Sequence, residues 1–435
     1  MLSLLGGLLG GSSTTTTAPS NTLKVSPQPI FLDNLKVSAA TGFASEVDVQ
    51  LWAVYPNGSP NNRWFRIRSM ATCALPPVTY TAPDSLDTPL RRYSLRHMRP
   101  QLKKDDVGDP MSIQTPSTSR TIEVLVEPIL PFELAIFTLE DLKLGTSGNW
   151  SVDSYDSRDP NKSGTGGTYP GRTSTLVQEN GNIGSDLARS ADSLYGPLVS
   201  ARGAQVRGAV ATNGGDDPAT PEHENVSGAI NIDPARIRSD FYRDMPAPKR
   251  PTAGVFMPAP LLGAPFVAGT ESAPSQYIVG GNLGGFTVEA PASGKGAIII
   301  LINGDLDVGN ADITIPPGVA AQIYVRGNID FHNQSINTTA GSSQLAGELQ
   351  IYGEDSGGDR RTLNAGGNAS IAAAFYGPSY DVRFSGKVEW FGSVASRSFE
   401  MQGGGNGGFH YDEALGPVGN PISFRIARYV EDVRE

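Results

Sequence analysis

The sequence predicts an all-β protein in which a small antiparallel β domain precedes a parallel β-solenoid (β-helix) with loop insertions. The chain has 435 residues, including 51 glycines and 33 prolines, and only 18% of its residues are charged. Such a length exceeds one ordinary core, and such a composition favours turn-rich β structure over helical bundles or disorder. Runs of apolar–polar alternation and one short internal repeat point to the same fold class.

Residues 1–22 are rich in Gly, Ser and Thr and are expected to form a flexible leader. Their apolar run lacks the basic start of a signal peptide and is too short to cross a bilayer. No other stretch reaches that length, so we expect no membrane span in this chain. How the N-terminus is exported or anchored stays open.

Residues 23–130 predict the antiparallel β domain with a long internal loop. Residues 46–54 alternate with a period of two, a Pro-Asn-Gly turn signal follows, and residues 63–69 alternate back. This pattern is typical of a β-hairpin. Beyond a Pro-rich polar loop, residues 120–126 predict one further strand of the same domain.

Residues 131–420 predict the β-solenoid, because a repeat inside them has the period of one coil. Residues 367–377 and 386–392 each begin with glycine, alternate, reach an aromatic pair and turn on glycine. The offset from Gly367 to Gly386 suits coils that stack parallel strands, each burying its apolar side against its neighbours. The segments starting at Gly304 and Gly327 have a longer offset, which indicates loops inserted at coil corners.

Several segments of this region are expected to interrupt or close the array. Residues 213–225 and 244–275 predict exposed excursions, the first acidic and the second rich in Pro and Ala. Asp233-Pro234 predicts a short helix over 234–242. Residues 421–435 fit both strand alternation and helical spacing, and we expect a C-terminal cap segment there.

The charge and the cysteine count exclude two classes. A formal net charge of −10 argues against a nucleic-acid partner, which requires a basic surface. The single cysteine, Cys73, rules out an internal disulfide and predicts a buried structural thiol. His97, His223 and His332 each stand alone in the sequence and are expected to have surface or structural roles.

The densest polar cluster lies in residues 409–415. His410, Asp412 and Glu413 are residue types that bind metals or act as acid–base pairs. On a strand His410 and Asp412 share one face, whereas Glu413 points to the other. The position at the end of the repeats favours a polar end cap.

Two groups of aspartates raise the possibility of Ca²⁺ sites. Asp153, Asp156 and Asp159 supply oxygen ligands but lack the spacing of an EF-hand, so turn-forming caps are favoured. Whether they bind Ca²⁺ stays open at this stage.

The second group belongs to two consecutive repeats. Asp305, Asp307 and Asp312, with Asp330 one repeat later, resemble the Asp clusters that bind Ca²⁺ in pectate-lyase-type β-helices. Solvated charges that block edge-to-edge association explain them more simply, and Ca²⁺ binding again stays open.

No nucleophile elbow, phosphate-binding loop or zinc motif occurs in the sequence. We therefore predict no catalytic, cofactor-binding or metal-binding residue, no cofactor and no enzyme activity. Trp52 and Trp64 are expected in the hairpin core, and Trp150 and Trp390 along the solenoid interior.

The repeats at 367–403, followed by the Gly-rich stretch and the Phe-His-Tyr-Asp-Glu-Ala-Leu motif at 409–415, resemble bacterial PilX-like pilus-assembly proteins. In that family, bactofilin-like coils end in a similar motif, and the resemblance extends over about residues 120–420. It implies a pilus-associated or envelope structural protein with a C-terminal β-solenoid.

We therefore expect a bacterial, non-enzymatic structural protein of the cell surface, extracellular or in the envelope. It would be a filament subunit or a pilus accessory, and its partners would be further copies of itself or other pilus and envelope proteins. One alternative is an adhesin that binds glycans through Tyr376 or Tyr380. A further alternative is a β-helix polysaccharide lyase or hydrolase that uses Asp305 and Asp307.

Overall fold

A computed structural model describes sixteen stretches of the chain, and every structural statement below concerns them. They form two compact units, one built from residues up to 128 together with 424–435, and one from 129–423. Their regular structure is β-strand apart from three short 3₁₀ helices, at Thr165–Gly167, Ala346–Glu348 and Glu413–Leu415. The described residues are 24–25, 30–32, 44–55, 64–74, 117–144, 150–187, 199–200, 204–213, 236–238, 241–252, 255–260, 263–338, 345–354, 358–402, 407–419 and 422–434.

The strands are numbered in chain order. The first unit and the parts adjoining it contain β1 Lys24–Val25, β2 Ile30–Leu32, β3 Ala44–Tyr55, β4 Trp64–Ala74, β5 Ser117–Ile129 and β28 Ser423–Arg434. The first part of the second unit contains β6 Ile136–Thr138, β7 Leu142–Lys143, β8 Trp150–Tyr155, β9 Ile183–Ser185, β10 Val199–Ser200, β11 Ala204–Val206, β12 Val210–Thr212 and β13 Ile237–Arg238.

The remaining strands follow in the second part of that unit. They are β14 Met257–Pro258, β15 Phe266–Val267, β16 Ser275–Val279, β17 Val288–Glu289, β18 Gly296–Ile302, β19 Leu306–Asp307, β20 Val319–Val325, β21 Ile329–Asp330, β22 Ser335–Ile336, β23 Leu349–Gly353, β24 Arg361–Ala365, β25 Ser370–Ser385, β26 Glu389–Gln402 and β27 Gly408–Asp412.

The first unit is a six-stranded sheet with the order β1-β3-β4-β5-β28, and β2 also pairs with β3. The predicted hairpin is confirmed, since β3 and β4 pair antiparallel with Leu51 opposite Ile67. The predicted strand at 120–126 is confirmed as part of β5, which pairs antiparallel with β4. Trp52 is only half-buried, with the Arg66 guanidinium 5.5 Å from its ring centroid.

The C-terminal segment is a strand of this sheet, so the expected cap on the array is wrong. β28 is the neighbour of β5, and Phe424 packs edge-on against Phe65 with ring centroids 5.6 Å apart. Ion pairs of Arg425 with Glu127 and of Arg120 with Glu431 join the same two strands. The alternation that fitted a strand is therefore used for antiparallel pairing.

The second unit contains a large parallel sheet of twenty strands. Its register confirms both sequence offsets. Ser370 pairs with Glu389, and this spacing equals the one between Gly367 and Gly386. Leu306 pairs with Ile329, and this spacing equals the one between Gly304 and Gly327. Because the side-chain period of a strand is two, such equal registers align one apolar position with the next from strand to strand.

Three columns of aligned, inward-facing residues form the core of this sheet, and most of their members are fully buried. One column contains Leu306, Ile329, Leu363, Val382, Phe399 and Leu142. The second contains Ile300, Ile323, Ile351, Phe375, Val394, Ile136, Ile183 and Val210. The third contains Ile313, Ile336, Ile371, Trp390, Phe409, Val152 and Val206.

The order in which the strands stack in the sheet differs from their order in the chain. Apart from β15 and β17, which form a separate two-stranded sheet, the strands from β14 to β27 stack in sequence order. Strands β6 to β8 then follow β26 and β27 in parallel register. Strands β9 to β13 continue from there. The chain thus enters the sheet at an interior position, builds it in one direction, and returns to begin again at the other side.

The segment that makes this return runs over residues 241–252, and we call it the return segment. It contacts both parts of the sheet in turn: Phe241 packs edge-on against Phe137, and the Pro246 carbonyl accepts a hydrogen bond from Tyr376. Arg250 then bonds Glu354, with Nε 2.7 Å from Oε1.

The described residues bear on two expectations for this region. Arg236 has 3₁₀ conformation, but residues 237–238 form a strand and 241–250 have no regular secondary structure, so a helix does not extend over 234–242. Strands β14 and β15 fall inside the stretch 244–275; β14 pairs with β16 of the large sheet, and β15 pairs with β17 in a separate two-stranded sheet. The expected excursion at 213–225 lies outside the described residues beyond Asn213.

Candidate functional site: a buried polar seam

The motif at 409–415 lies where the two parts of the parallel sheet meet. Strand β27 pairs with β26 on one side and with β8 on the other, so that His410 is aligned with Asp153. We call this junction, formed by β6, β7 and β8 against β26 and β27, the seam. The expectation of an end cap is wrong, because the motif is covered on both edges.

A network of charged side chains occupies the seam around His410. Its Nδ1 is 2.6 Å from Oδ1 of Asp153, and its Nε2 is 2.9 Å from Oε2 of Glu389. Arg172 donates to both carboxylate oxygens of Glu389, at 2.9 and 3.1 Å. His410 and Asp153 are each 1% exposed. The network therefore joins β8, β26, β27 and the segment that follows β8.

The segment 156–182 covers this network through an aromatic contact. Tyr169 stacks on the imidazole of His410 with ring centroids 3.7 Å apart, and its hydroxyl donates to Oδ2 of Asp153 at 2.7 Å. Phe391 lies on the imidazole at 5.1 Å. Tyr169 and Phe391 are themselves 5.7 Å apart, so the three rings form one cluster, and His410 is excluded from solvent.

The environment shifts the pKa values of the network in opposite directions. Burial lowers the pKa of His410, but the carboxylates of Asp153 and Glu389 outweigh it and raise the pKa above its ordinary value. Burial raises the pKa of Glu389, but His410 and Arg172 outweigh it and lower the pKa. Both shifts favour the charged forms, imidazolium and carboxylate.

The remaining acidic residues of the motif bind the covering segment. Oδ1 of Asp412 accepts from the backbone N–H groups of Ser157 and Ala414, at 3.0 and 3.1 Å. Oε1 of Glu413 accepts from Ser154 Oγ at 2.8 Å and from Asn180 Nδ2 at 2.9 Å. Burial raises the pKa of Asp412 in spite of these donors.

The side chains of the network do not converge as the ligands of one metal ion do. The two nitrogens of His410 point to two separate carboxylates on opposite edges of the ring, so these groups do not converge on one point. Across the described part of the chain, no three His, Cys, Asp or Glu side chains are placed to bind one metal ion. The network instead supplies hydrogen bonds and charge pairs across the seam.

The first aspartate group divides between the seam and a turn. Asp153 belongs to the seam, whereas Oδ1 of Asp156 accepts from the N–H of Arg158 at 3.1 Å, and Oδ1 of Asp159 from that of Asn161 at 2.9 Å. A side chain that bonds the backbone two residues on forms an Asx turn. The turn-forming role is confirmed for Asp156 and Asp159.

The second aspartate group caps the corners between neighbouring strands. Asp305 donates its backbone N–H to Oδ1 of Asn282 at 2.9 Å, and its own Oδ1 accepts from the N–H of Asn328 at 2.7 Å. Asn328 Oδ1 in turn accepts from the N–H of Thr362 at 3.0 Å. We call this chain of contacts the corner ladder. Asp312 acts in the same way toward the N–H of Ser335.

Glycine precedes two of the ladder residues for a steric reason. A Cβ at Gly304 would collide with Oδ1 of Asn282, and a Cβ at Gly327 would collide with Oδ1 of Asp305. The glycines that start the segments at Gly304 and Gly327 therefore leave room for this ladder, in which each polar side chain needs a neighbour without a Cβ.

One of the three histidines that stand alone in the sequence, His332, has partners in the fold. His332 Nε2 is 2.8 Å from Oδ1 of Asp307, and Asp330 Oδ1 accepts from the His332 backbone N–H at 2.8 Å. The hydrogen bond from His332 lowers the pKa of Asp307. His97, His223 and the side chain of Cys73 lie outside the described residues.

The aromatic residues proposed for glycan binding are buried. Tyr376 is 1% exposed and Tyr380 is 0% exposed, and the hydroxyl of Tyr380 donates to backbone carbonyls of Val325 and Gly327. A glycan-binding face built on them is therefore wrong. The predicted interior positions of Trp150 and Trp390 are confirmed by their burial.

Sequence reasoning missed Glu389, Arg172 and Tyr169. A signal for Glu389 was present in the short internal repeat. The first copy has the small residue Ser370 at the position where the second copy has the charged Glu389. Arg172 and Tyr169 lie in a segment without periodicity, and nothing in their local sequence indicates the seam.

Comparisons with known proteins give a partial match. A family model described as a domain of unknown function (DUF7305) matches residues 288–418, less than a third of the chain. A search of curated proteins finds no significant match. Within the described ranges, no helix has the length and apolarity needed to cross a bilayer.

Among solved structures, the chain is similar to the competence-associated pilin ComZ from Thermus thermophilus. The identity is 9%, the match covers 93% of this chain and 88% of that chain, and the TM-score is 0.24. At this TM-score the similarity carries no argument about function.

Proposed function

We propose that the chain is a non-enzymatic structural protein of the bacterial envelope or cell surface, acting as a filament subunit or a pilus-associated accessory. Within this proposal the parallel sheet is a β-solenoid, and its partners are further copies or other pilus proteins. The observation that carries it is the three apolar columns, which continue from strand to strand across the junction of β26 and β27 with β6, β7 and β8.

The use of the polar side chains supports a structural role. The aspartates of the corner ladder accept backbone N–H groups, and those of the seam pair with cations or cap turns. These groups therefore stabilise the stacking of strands. The resemblance of residues 367–415 to PilX-like proteins supports the pilus part of the proposal.

Immunogold electron microscopy of the source organism tests this function, with antibodies against the second unit. We expect label on surface filaments or in the envelope, and loss of filaments or of their attachment in a deletion strain. Label confined to the cytoplasm, with filaments unchanged in the deletion strain, would overturn the proposal. A cryo-EM map of the purified chain tests the solenoid separately, since it would display stacked coils whatever the localisation.

A further inference from the structure

The hydrogen-bond partners of His410 determine how many of its two ring nitrogens carry a proton. Both ring nitrogens face carboxylate oxygens at hydrogen-bond distance, 2.6 Å from Asp153 and 2.9 Å from Glu389. Ionised carboxylates only accept hydrogen bonds, so both nitrogens must carry a hydrogen, and only the imidazolium form does so. Neutral histidine would leave one of these contacts between two acceptors.

With both carboxylates ionised, the charges of the network balance only in that form. Two carboxylates, Asp153 and Glu389, face two cations, Arg172 and the imidazolium of His410. Loss of one proton leaves an uncompensated negative charge in a network whose His410 and Asp153 are each 1% exposed. An unpaired buried charge is strongly destabilising.

The network also lies across a junction between distant parts of the chain. Asp153 is on β8, near the start of the second unit's sequence, whereas Glu389 and His410 are on β26 and β27, near its end. We propose that the seam is a pH-sensitive joint, closed while His410 holds both protons and loosened when alkaline conditions remove one. This inference stands independently of the proposed function.

The direction of the pH effect follows from the sign of the shift. The pKa of His410 is raised above its unfolded value by Asp153 and Glu389, which outweigh burial. The stabilisation is therefore complete below about pH 6.5, the ordinary histidine pKa, and is lost as the pH rises through the higher folded pKa.

Apart from Asp412, the titratable groups that face the seam and have shifted pKa values do not mimic this transition. Burial, with the nearby Asp153, raises the pKa of Tyr169 far above its ordinary value, and burial does the same for Tyr155. Both phenols therefore stay neutral through the window. The pKa of Glu389 is lowered, so its charge change belongs to acidic pH. Burial raises the pKa of Asp412, so its stabilisation is lost in the same direction as that of His410, and the nitrogen-15 signals of His410 distinguish the two groups.

When the joint loosens, the covering segment is expected to loosen with it. Tyr169 stacks on the imidazole and bonds the same Asp153 carboxylate, so a movement of His410 away from Asp153 disturbs both contacts. Backbone protection should then fall in β8, β27 and residues 156–182 together, while strands far from the seam, such as β18 and β20, keep theirs.

Two measurements on the full-length chain test this. Nitrogen-15 NMR of histidine-labelled protein reports the protonation of both nitrogens of each of the four histidines. Hydrogen–deuterium exchange, corrected for the intrinsic pH dependence of the rate, reports the protection of seam peptides relative to β18 and β20 between about pH 6 and about pH 9, the window around the histidine pKa. We expect seam protection to fall about tenfold for each unit by which the folded pKa exceeds the unfolded one.

His410→Gln removes the titration while keeping a polar side chain, and His332→Gln is the matched control at an exposed histidine–aspartate contact. We expect the first variant to show weak seam protection at every pH and the second to keep the wild-type profile. His410 that is neutral at neutral pH in the folded wild-type chain, or seam protection that parallels β18 and β20 throughout, would overturn the proposal. The NMR result decides even if His410→Gln fails to fold.

Discussion

Two strand pairs, β25 with β26 and β8 with β27, have the same parallel geometry but differ in the residues that they align. In the first, the partners belong to consecutive strands of the chain and the aligned residues are mostly apolar, for example Phe375 with Val394. In the second, the partners come from opposite ends of the second unit's sequence, and His410 is aligned with Asp153. Apolar stacking suffices where the chain itself brings neighbours together, whereas the seam adds a charged network that distinguishes one partner.

That difference has a physical basis. Apolar contacts are non-directional and tolerate shifts of register, whereas a hydrogen-bonded charge pair loses stability when its partners are displaced. A slip of one residue at the seam would turn every side chain to the other face of the strand. Polar pairing at this point is therefore expected to contribute specificity, and the following variants measure it against apolar packing.

The largest loss of stability is expected from the apolar stack. Trp390 is fully buried and its ring stacks on those of Phe384 and Phe409. Trp390→Ala should lower the free energy of unfolding by about 4 kcal/mol, since it removes transfer energy and leaves a cavity. Denaturant unfolding measures this, with Tyr242→Ala, at a 69% exposed residue, as a nearly neutral control. A loss no greater than that of the control would contradict the packing described here.

The seam network comes next. Asp153→Asn keeps the shape of the side chain but removes the charge that faces His410 and weakens the acceptor for Tyr169. We expect a loss of about 3 kcal/mol, because His410 becomes a poorly compensated buried cation. Asp159→Asn, in an exposed turn, is the matched control. Equal effects of the two variants in the same unfolding experiment would show that the seam needs no charge.

The loss of stability on disrupting the return segment should be smaller than at the seam but measurable. Arg250 bonds Glu354 through both Nε and Nη2 and also bonds Asn303, and Glu354 is buried. Arg250→Ala should cost about 2 kcal/mol through loss of charged hydrogen bonds. Arg326→Ala provides the control, since Arg326 is more exposed and lies 3.4 Å from the same carboxylate. Limited proteolysis should cut the return segment faster in Arg250→Ala only; identical rates would argue against its anchoring role.

The smallest effect is expected at the corner ladder. Asp305→Ala removes one acceptor for the backbone N–H of Asn328, at an exposed site where water can replace it. We predict a loss of about 1 kcal/mol by thermal unfolding. Asp359→Ala, which removes only an exposed contact with Arg361, should be neutral. A loss at Asp305 as small as at Asp359 would mean that the ladder adds nothing to stability.

The sequence was informative wherever structure depends on close neighbours in the chain. Alternation predicted the hairpin of β3 and β4, and the offsets between Gly367 and Gly386 and between Gly304 and Gly327 match the observed register. In each case the paired segments follow one another closely in the chain, so their patterns can be aligned by inspection.

The seam could not be found in this way. The partners of His410 come from positions 153 and 389, and the first belongs to a different part of the sheet. A polar motif after the last repeat fits an end cap and a joint equally well, because both place polar groups at a strand edge. The burial of Tyr376 was likewise hidden, since the carbonyl of Pro246, in the distant return segment, accepts a hydrogen bond from its hydroxyl.

The most direct test of the account is a disulfide across the seam. Lys143 is aligned with Glu400 and Glu400 with Arg383, and neighbouring strands lie about 4.8 Å apart, within reach of a disulfide. In a Cys73→Ser background, Lys143→Cys with Glu400→Cys should form an intramolecular disulfide on mild oxidation. The pair Lys143→Cys with Arg383→Cys, two strands apart, should not form one. A disulfide in the second pair but not in the first would contradict the parallel seam between the two parts of the chain.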